Sequence, residues 1–452
     1  MSTAAILCSE LPVYNTVAEQ KCSSKQFWLL ALSFVFFAVR GVFSFQTGDN
    51  EVGGFSPGSV ATRSQGIVGH IVFPGIAYSI VMWLIISNWR EVLTLLMRFK
   101  ALTLLGSLAI LSTLWSQDPM RSAVNGTFFL IGTLFAYALV SRFRPEQIMN
   151  VTCMTGYIVA LLGLFLVIAF PQFGITHNLR DAGEWRGIFL DKSAAGKALT
   201  FMLSPVIAFW SMRFSFRRIF YAILMALMIF ETHSATARLV LVAYSAFVVV
   251  VAVARRLGLR LSLAALLPAG LVGIPFASIA IANLPDVLRS LGRDPTLTGR
   301  TVIWNLVMLS ILKRPMLGYG YYAFWLELRG ESGRIIEALN WTFGYAHNGI
   351  LEIALQLGFV GVLLFAVTLF QALRNAWTCI WLDTAGDYDW YIGIIFITII
   401  YNIDEATVVL PHDLTSVLYV IACCGLARAA AELRQARIPD LIKEKRRDLS
   451  LT

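Results

Sequence analysis

The chain has 452 residues, of which 58% are hydrophobic and only 14% are charged, and its mean hydropathy is +0.71. Soluble domains carry about 25% charged residues, so this composition excludes an ordinary soluble domain and indicates a polytopic membrane protein. The net charge of +9 would favour a nucleic-acid partner in a soluble protein, but most of the basic residues here lie in loops between apolar runs, and we predict no nucleic-acid binding.

About twelve apolar runs are candidates for membrane-spanning helices, since a span needs roughly 20 apolar residues. The first, FWLLALSFVFFAVRGVFSF, is not followed by a small-residue cleavage site, so we predict a span and not a secretory signal. The sequence thus predicts an all-α polytopic membrane protein. The predicted spans are 27–45, 67–87, 101–116, 122–140, 151–170, 193–211, 218–232, 238–254, 261–283, 349–371, 389–403 and 413–428.

The basic loops fix the predicted orientation, because short loops rich in Lys and Arg stay cytoplasmic. Loops such as NWREVLTLLMRFK, SMRFSFRR and QALRNAWT alternate with loops that contain few basic residues. This alternation predicts an even number of spans, with both termini in the cytoplasm. The predicted organisation is a cytoplasmic tail at 1–26, nine transmembrane helices in 27–283, an outer loop at 284–347, three helices in 348–428 and a basic cytoplasmic tail at 429–452.

The outer loop at 284–347 is long and carries seven basic side chains, and long loops are more often functional than inert. Its stretch GRTVIWNLVMLSILKRP predicts a short amphipathic helix lying over the outer leaflet, which RPMLGYG then ends with proline and glycine. The apolar face of that helix is predicted to consist of Val302, Leu306, Leu309, Ile311 and Leu312.

The chain lacks a nucleotide site, since DKSAAGKALT does not have the spacing of a phosphate-binding loop. An outward-facing enzyme without ATP can use a polyprenyl-diphosphate sugar, which needs cations for the diphosphate and a base for the attacking hydroxyl. Arg238, Arg300, Arg186 and Lys192 are candidate cations. The alternative for Arg238 is snorkelling at a helix end, and for Arg300 it is a turn cap.

His347 is the candidate base, because a histidine titrates nearest neutral pH. Its competitors are His177, His233, His412 and His70, and a structural role at a helix end is the simpler alternative. Glu352 could orient or pair with His347. A hard metal ion is a further alternative, and its candidate ligands are Asp49, Glu51, Asp404, Glu405, His412 and Asp413.

The segment HNGILEIALQLGFVG resembles the O-antigen ligase and O-antigen polymerase family, fitting its His-[Asn/Ser/Gln]-x9-Gly-x-x-Gly pattern at His347, Asn348, Gly358 and Gly361. TGRTVIW, RPMLGYGYYAFW, THSATARLVL and WRGIFLDKSAAGKAL are similar to further motifs of that family, so the resemblance covers about residues 180–370. Where the family has His-Lys-Asn, this chain has Asp-Lys-Ser, so Lys192 is the one residue of that triplet that the chain shares with the family.

The resemblance implies a GT-C-like bundle in the bacterial inner membrane that performs metal-independent, inverting glycosyl transfer at the periplasmic face, without a cofactor. His347 would be the base, and Arg238 and Arg300 would hold the diphosphate. The expected substrate-binding residues are Lys192, Arg186, Asn348, Arg314 and Tyr319.

Three functions remain open under this resemblance. The first is a polymerase of the exopolysaccharide type, which joins undecaprenyl-diphosphate-linked repeat units. The second is a ligase that transfers the polymer to the lipid A core, and the third is a transporter or flippase of the lipid-linked glycan. The expected partners are the lipid-linked donor, a glycan or lipid A-core acceptor, the bilayer, a chain-length regulator and a flippase.

Overall fold

The computed structural model describes residues 24–39, 72–177, 182–208, 216–257, 300–326, 330–339, 344–383, 386 and 388–449. Within these ranges the protein is helical, without a β-strand, so the predicted all-α membrane class is confirmed. The helices are α1 (Ser24–Ala38), α2 (Phe73–Ser87), α3 (Trp89–Arg98), α4 (Lys100–Leu111), α5 (Pro119–Arg142), α6 (Pro145–Ala169), α7 (Pro171–Gly174), α8 (Lys192–Ala208), α9 (Phe216–Glu231), α10 (Ala235–Arg256), α11 (Arg300–Lys313), α12 (Gly330–Leu339), α13 (Gly349–Leu382), α14 (Asp389–Asp404) and α15 (Leu414–Leu449).

The predicted spans coincide with helices wherever the structure describes them, and 261–283 lies outside the described residues. Five of the described helices are long and apolar enough to cross a membrane, namely α5, α6, α10, α13 and the first part of α15. A sixth is obtained if α2 and α3, which meet at a bend of 82°, form one broken span. The total of twelve crossings therefore stays a prediction.

Two segments that were predicted as a loop and a tail are helical. The stretch NWREVLTLLMRFK, predicted as a loop, contains helix α3, because Val92 and Leu95 recur at helical spacing and are buried. Likewise, α15 continues to Leu449, well past the predicted end of the last span at 428. In both places basic residues lie on a helix and not in a loop.

Helix α11 occupies the predicted position in the outer loop, and Leu306 and Ile311 of its predicted apolar face are partly buried against a small core. Ile303 and Val307 are fully buried, whereas Val302, Leu309 and Leu312 of the predicted apolar face are between 43% and 66% exposed. Both sides of this helix are apolar, so the sequence pattern could not indicate which side faces protein. The buried side joins a second small core under the loop, which includes Phe324, Trp325, Ile335 and Leu355.

Helix α13 is broken at Gly358, whose φ of +64° and ψ of −163° are not helical. The break frees carbonyl groups on one side and N–H groups on the other, and the loop after α11 satisfies both. The N–H groups of Tyr319 and Gly320 donate to the carbonyls of Leu355 and Gln356 at 2.8 and 3.0 Å. The loop thus takes the place of the missing helical turn.

The reverse pair of hydrogen bonds closes the same junction. The N–H groups of Phe359 and Val360 donate to the carbonyls of Pro315 and Met316 at 2.7 and 3.2 Å. The stretch Pro315–Gly320 and Gly358, the motif glycine at the break, are therefore parts of one structural unit, although they are far apart in sequence.

Candidate active site

His347 lies just before α13, in a segment held by the side chains of Glu352 and Trp304. Glu352 accepts a hydrogen bond from the Ala346 N–H at 2.8 Å and others from Trp325 and Gln356. Trp304 of α11 donates from its indole to the Ala346 carbonyl at 3.0 Å. Glu352 thus orients the backbone next to His347 and not the imidazole itself, which refines the prediction that the two residues pair.

The imidazole of His347 faces a carboxylate that the sequence pattern did not assign to it. Nδ1 of His347 lies 3.7 Å from Oε1 of Glu405, and the two side chains are 15% and 7% exposed. The Tyr345 hydroxyl donates to the same Glu405 oxygen at 3.4 Å, and the centre of its ring lies 4.1 Å from that of the imidazole, with the rings tilted by 44°. A distance of 3.7 Å is too long for a hydrogen bond, but it suits an ion pair once the imidazole gains a proton.

The segment 402–406, at the end of α14, connects three helix starts. The Asn348 amide donates to the Ile403 carbonyl at 3.0 Å, which ties the start of α13 to it. The Thr236 hydroxyl donates to Asp404, which ties the start of α10. The Lys197 ammonium of α8 donates to the Ala406 carbonyl at 2.7 Å. The N-termini of α13 and α10 carry partial positive charge, and the C-terminus of α14 with the carboxylates of Asp404 and Glu405 adds negative charge beside them.

Arg238 lies on the first turn of α10, two residues after Thr236. Its guanidinium donates to the Phe230 carbonyl and lies 5.7 Å from the centre of the Phe230 ring, while its Nε is buried without a hydrogen-bond partner. Arg300 begins α11, four residues before the tryptophan that contacts the segment next to His347. The side chain of Arg300 lies outside the described side chains.

Lys192 and Arg186 differ in what their charges contact. Lys192, the first residue of α8, forms an ion pair with Glu184 at 2.7 Å and is partly exposed. Arg186 is 8% exposed, and its guanidinium donates to the Phe173 carbonyl at 3.0 Å, so it stabilises the turn at 171–187. Asp191, which replaces the histidine of the family motif, accepts a hydrogen bond from the Ala194 N–H and caps α8.

The remaining predicted substrate-binding residues have structural contacts. Asn348 caps α13, since its side-chain oxygen accepts from two N–H groups of the first turn. Tyr319 is 2% exposed, its hydroxyl donates to the Ser310 carbonyl, and Arg314 covers its ring at 5.0 Å. Because its loop pairs with residues 355–360, it lies roughly 12–18 Å along α13 from His347. The structure therefore does not bring Arg314 and Tyr319 to the imidazole.

The proposed metal ligands of the last loop do not converge. Asp404 and Glu405 have the partners given above, Asp413 accepts from the backbone and side chain of its own turn, and His412 shares a hydrogen bond with the Tyr78 hydroxyl. Burial lowers the pKa of His412 to about 4, so this histidine is neutral at pH 7. No three potential ligands come together within the described part of the chain. Two candidates lie outside the described residues, Asp49 and Glu51.

Comparison with known proteins matches one segment of the chain to a family. Residues 220–366 match the family model of the O-antigen ligases. This segment is about a third of the chain and includes Arg238, Arg300, His347 and Gly358. The predicted resemblance is thereby confirmed over that segment, whereas Lys192 and Glu405 lie outside it.

The curated relatives are similar to short parts of the chain. The exopolysaccharide production protein ExoQ of Rhizobium meliloti is 30% identical over 99 residues, which are 21% of this chain and 23% of that protein. A protein of Rickettsia prowazekii that is named as a candidate polysaccharide ligase is 33% identical over 88 residues, which are 19% of this chain and 22% of that protein. Each alignment spans less than a quarter of the relative.

Proposed function

We propose that the protein is a membrane glycosyltransferase that joins undecaprenyl-diphosphate-linked repeat units into exopolysaccharide or O-antigen at the periplasmic face of the inner membrane. The observation that carries the proposal is the pair formed by His347 and Glu405 at the end of the bundle where several helix N-termini meet. A partly buried imidazole beside a carboxylate suits a general base, and the helix ends suit a phosphorylated donor.

In the proposed reaction His347 removes the proton from the acceptor hydroxyl as its oxygen attacks the anomeric carbon of the donor. Since Nδ1 faces Glu405, Nε2 is the nitrogen that receives this proton. The carboxylate then stabilises the imidazolium, in the role that an aspartate has beside the histidine of a hydrolase triad. The new glycosidic bond forms on the face opposite the breaking carbon–oxygen bond, so the configuration inverts.

The leaving group is undecaprenyl diphosphate, whose negative charge requires cations because no metal is invoked. Arg238 lies in the first turn of α10, which is tied to Asp404 next to Glu405, and Arg300 begins α11, which is tied to Ala346 next to His347. Their guanidinium forks suit phosphate oxygens. Lys192 assists from the start of α8, and we assign Arg186 a smaller part, since its guanidinium donates to a backbone carbonyl.

The test is glycosyl transfer by the purified protein from a synthetic lipid-linked donor in the presence of EDTA. We expect activity to persist in EDTA and to fall by about 10²-fold or more in His347→Ala, the range typical of a lost general base. His177→Ala is the matched control, because His177 is exposed and distant in sequence from the site. Full activity of His347→Ala would remove the proposed base, and loss of activity in EDTA would revive the metal alternative.

The ligase is the second candidate, and the names of the Rickettsia relatives favour it. Both functions use the same donor, so the acceptor alone separates them. A strain without this protein should accumulate single lipid-linked repeats if it is a polymerase, and long lipid-linked polymer if it is a ligase. The transporter is excluded if the detergent-purified protein forms new glycosidic bonds.

A further inference from the structure

A polar cavity lies at the end of α13 that is opposite His347. It measures about 210 Å³ and is lined by parts of α4, α13 and α15 and by the end of α3. Its lining on α13 runs from Thr368 to Asn375, some 20 residues beyond the start of the helix, which is about 30 Å along an α-helix. This distance is close to the hydrocarbon thickness of a bilayer, so the cavity and His347 belong to opposite membrane surfaces.

Three arginines, Arg98, Arg374 and Arg434, line this cavity, and none of the residues that line it is acidic. They come from three separate parts of the sequence, each of which the positive-inside rule predicts to be cytoplasmic. Guanidinium groups gathered around one space repel each other unless an anion lies between them. Arg374 forms no ion pair with any described side chain.

Asn375 supplies a second, independent observation. Its side chain lines the cavity and is only 7% exposed, yet its amide makes no hydrogen bond to any residue that the structure describes. Buried amides are almost always hydrogen-bonded, and a carboxamide can donate to a phosphate oxygen. The unused hydrogen-bonding capacity of Asn375 therefore points to a ligand with acceptor atoms.

The size and the remaining walls of the cavity define that ligand further. Drug-sized molecules occupy roughly 300–1,000 Å³, so 210 Å³ suits a phosphate with a small attached group and not a nucleotide sugar. Phe99, Leu102 and Ala372 form an apolar wall beside the arginines. A ligand with a phosphate and an adjoining hydrocarbon part fits both surfaces.

We propose that this cavity binds the phosphate headgroup of an anionic phospholipid of the cytoplasmic leaflet. Basic pockets between transmembrane helices on the cytoplasmic side are suited to such headgroups. Arg98, Arg374 and Arg434 surround the phosphate, Asn375 donates to one of its oxygens, and the acyl chains leave along the apolar wall. The site is separate from the proposed transfer chemistry.

The test is native mass spectrometry of the full chain in detergent, titrated with phosphatidylglycerol, phosphatidylcholine or inorganic phosphate. We expect phosphatidylglycerol to bind the wild type with at least about tenfold preference over phosphatidylcholine, because charge-assisted hydrogen bonds need the anionic lipid. Arg374→Gln and Asn375→Leu should each weaken this binding by about tenfold. Arg256→Gln is the matched control, since Arg256 is an exposed arginine in the last turn of α10 that does not line the cavity.

Each result decides the proposal. Equal binding of phosphatidylglycerol by the wild type and Arg374→Gln would overturn it, as would equal binding of phosphatidylcholine and phosphatidylglycerol. Displacement of the lipid by millimolar inorganic phosphate would assign the cavity to a free anion and overturn the lipid assignment. If Asn375→Leu fails to fold, Arg374→Gln and Arg434→Gln still test the site, because both arginines are exposed. Elution of each variant as a single species would confirm that it is folded.

Discussion

Replacing Gly358 by alanine tests the junction that holds the two halves of α13 together. The backbone of Gly358, at φ +64° and ψ −163°, lies in a region that is essentially restricted to glycine, and other residues there cost about 1–3 kcal/mol. An added Cβ would also lie 2.3 Å from the carbonyl carbon and oxygen of Met316. The Pro315–Gly320 loop would have to move away from the helix.

That movement would break hydrogen bonds that bridge the helix break. The bond from Phe359 to Pro315 is 2.7 Å and that from Val360 to Met316 is 3.2 Å, and each hydrogen bond lost costs about 0.5–1.5 kcal/mol. With the backbone strain, we expect Gly358→Ala to lower the free energy of unfolding by at least about 2 kcal/mol. Tryptophan fluorescence during SDS titration of the protein in mixed micelles would measure the loss.

The control is Gly75→Ala in α2, because Gly75 is exposed and no atom lies within 4 Å of the position of an added Cβ. This variant should be as stable as the wild type or up to about 1 kcal/mol more stable, since alanine favours a helix over glycine. An unchanged unfolding midpoint for Gly358→Ala would refute the reasoning and show that the junction does not need glycine.

Three further changes test the site end of the bundle. Glu405→Gln should lower the transfer rate at least about tenfold without lowering the unfolding midpoint, since a carboxylate 3.7 Å from an imidazolium contributes up to about 4 kcal/mol; an unchanged rate would remove Glu405 from the mechanism. Trp304→Phe should reduce the rate several-fold, because it loses the hydrogen bond of about 1 kcal/mol to Ala346 that positions the next residue, and equal rates would contradict this. Burial lowers the pKa of His412 from 6.5 to about 4, so the unfolded chain binds the proton more readily than the folded chain does. The wild type should therefore lose about 3 kcal/mol of stability as the pH falls from 6.5 to 4. His412→Gln should lack that part of the acid destabilisation in unfolding curves at both pH values, and an identical loss in the variant would contradict the assignment.

The sequence motif identifies His347, and the structure shows which residues surround it. The spacing from His347 to Gly358 and Gly361 selected the histidine without any coordinates, and the family match over 220–366 agrees with it. Glu405 was visible in the sequence only as one of several carboxylates in the last loop, and we considered it as a metal ligand. Its place beside the imidazole depends on how α14 ends against α13, which is a long-range contact that local patterns do not encode.

Local patterns were also insufficient where both faces of a helix are apolar. Helix α11 was located correctly from its sequence, but the sequence did not indicate that Ile303 and Val307 face protein, because lipid-facing and protein-facing apolar residues look alike in a membrane protein. Tyr319 and Arg314 belong to a motif that resembles the family, and in the structure they contact each other beside the helix break and make no hydrogen bond, ion pair or ring contact with the described imidazole.

The sequence by itself determined the all-helical membrane class, the positions of most helices and the identity of the motif histidine, because hydrophobic run length and motif spacing are local properties of a chain. Only the tertiary structure decided which charges meet. Three arginines distant in sequence line one cavity at one end of α13, and Glu405 reaches His347 at the other. Both outcomes depend on which helices pack together, and packing between distant segments is set by the shapes of their faces and not by their order in the chain.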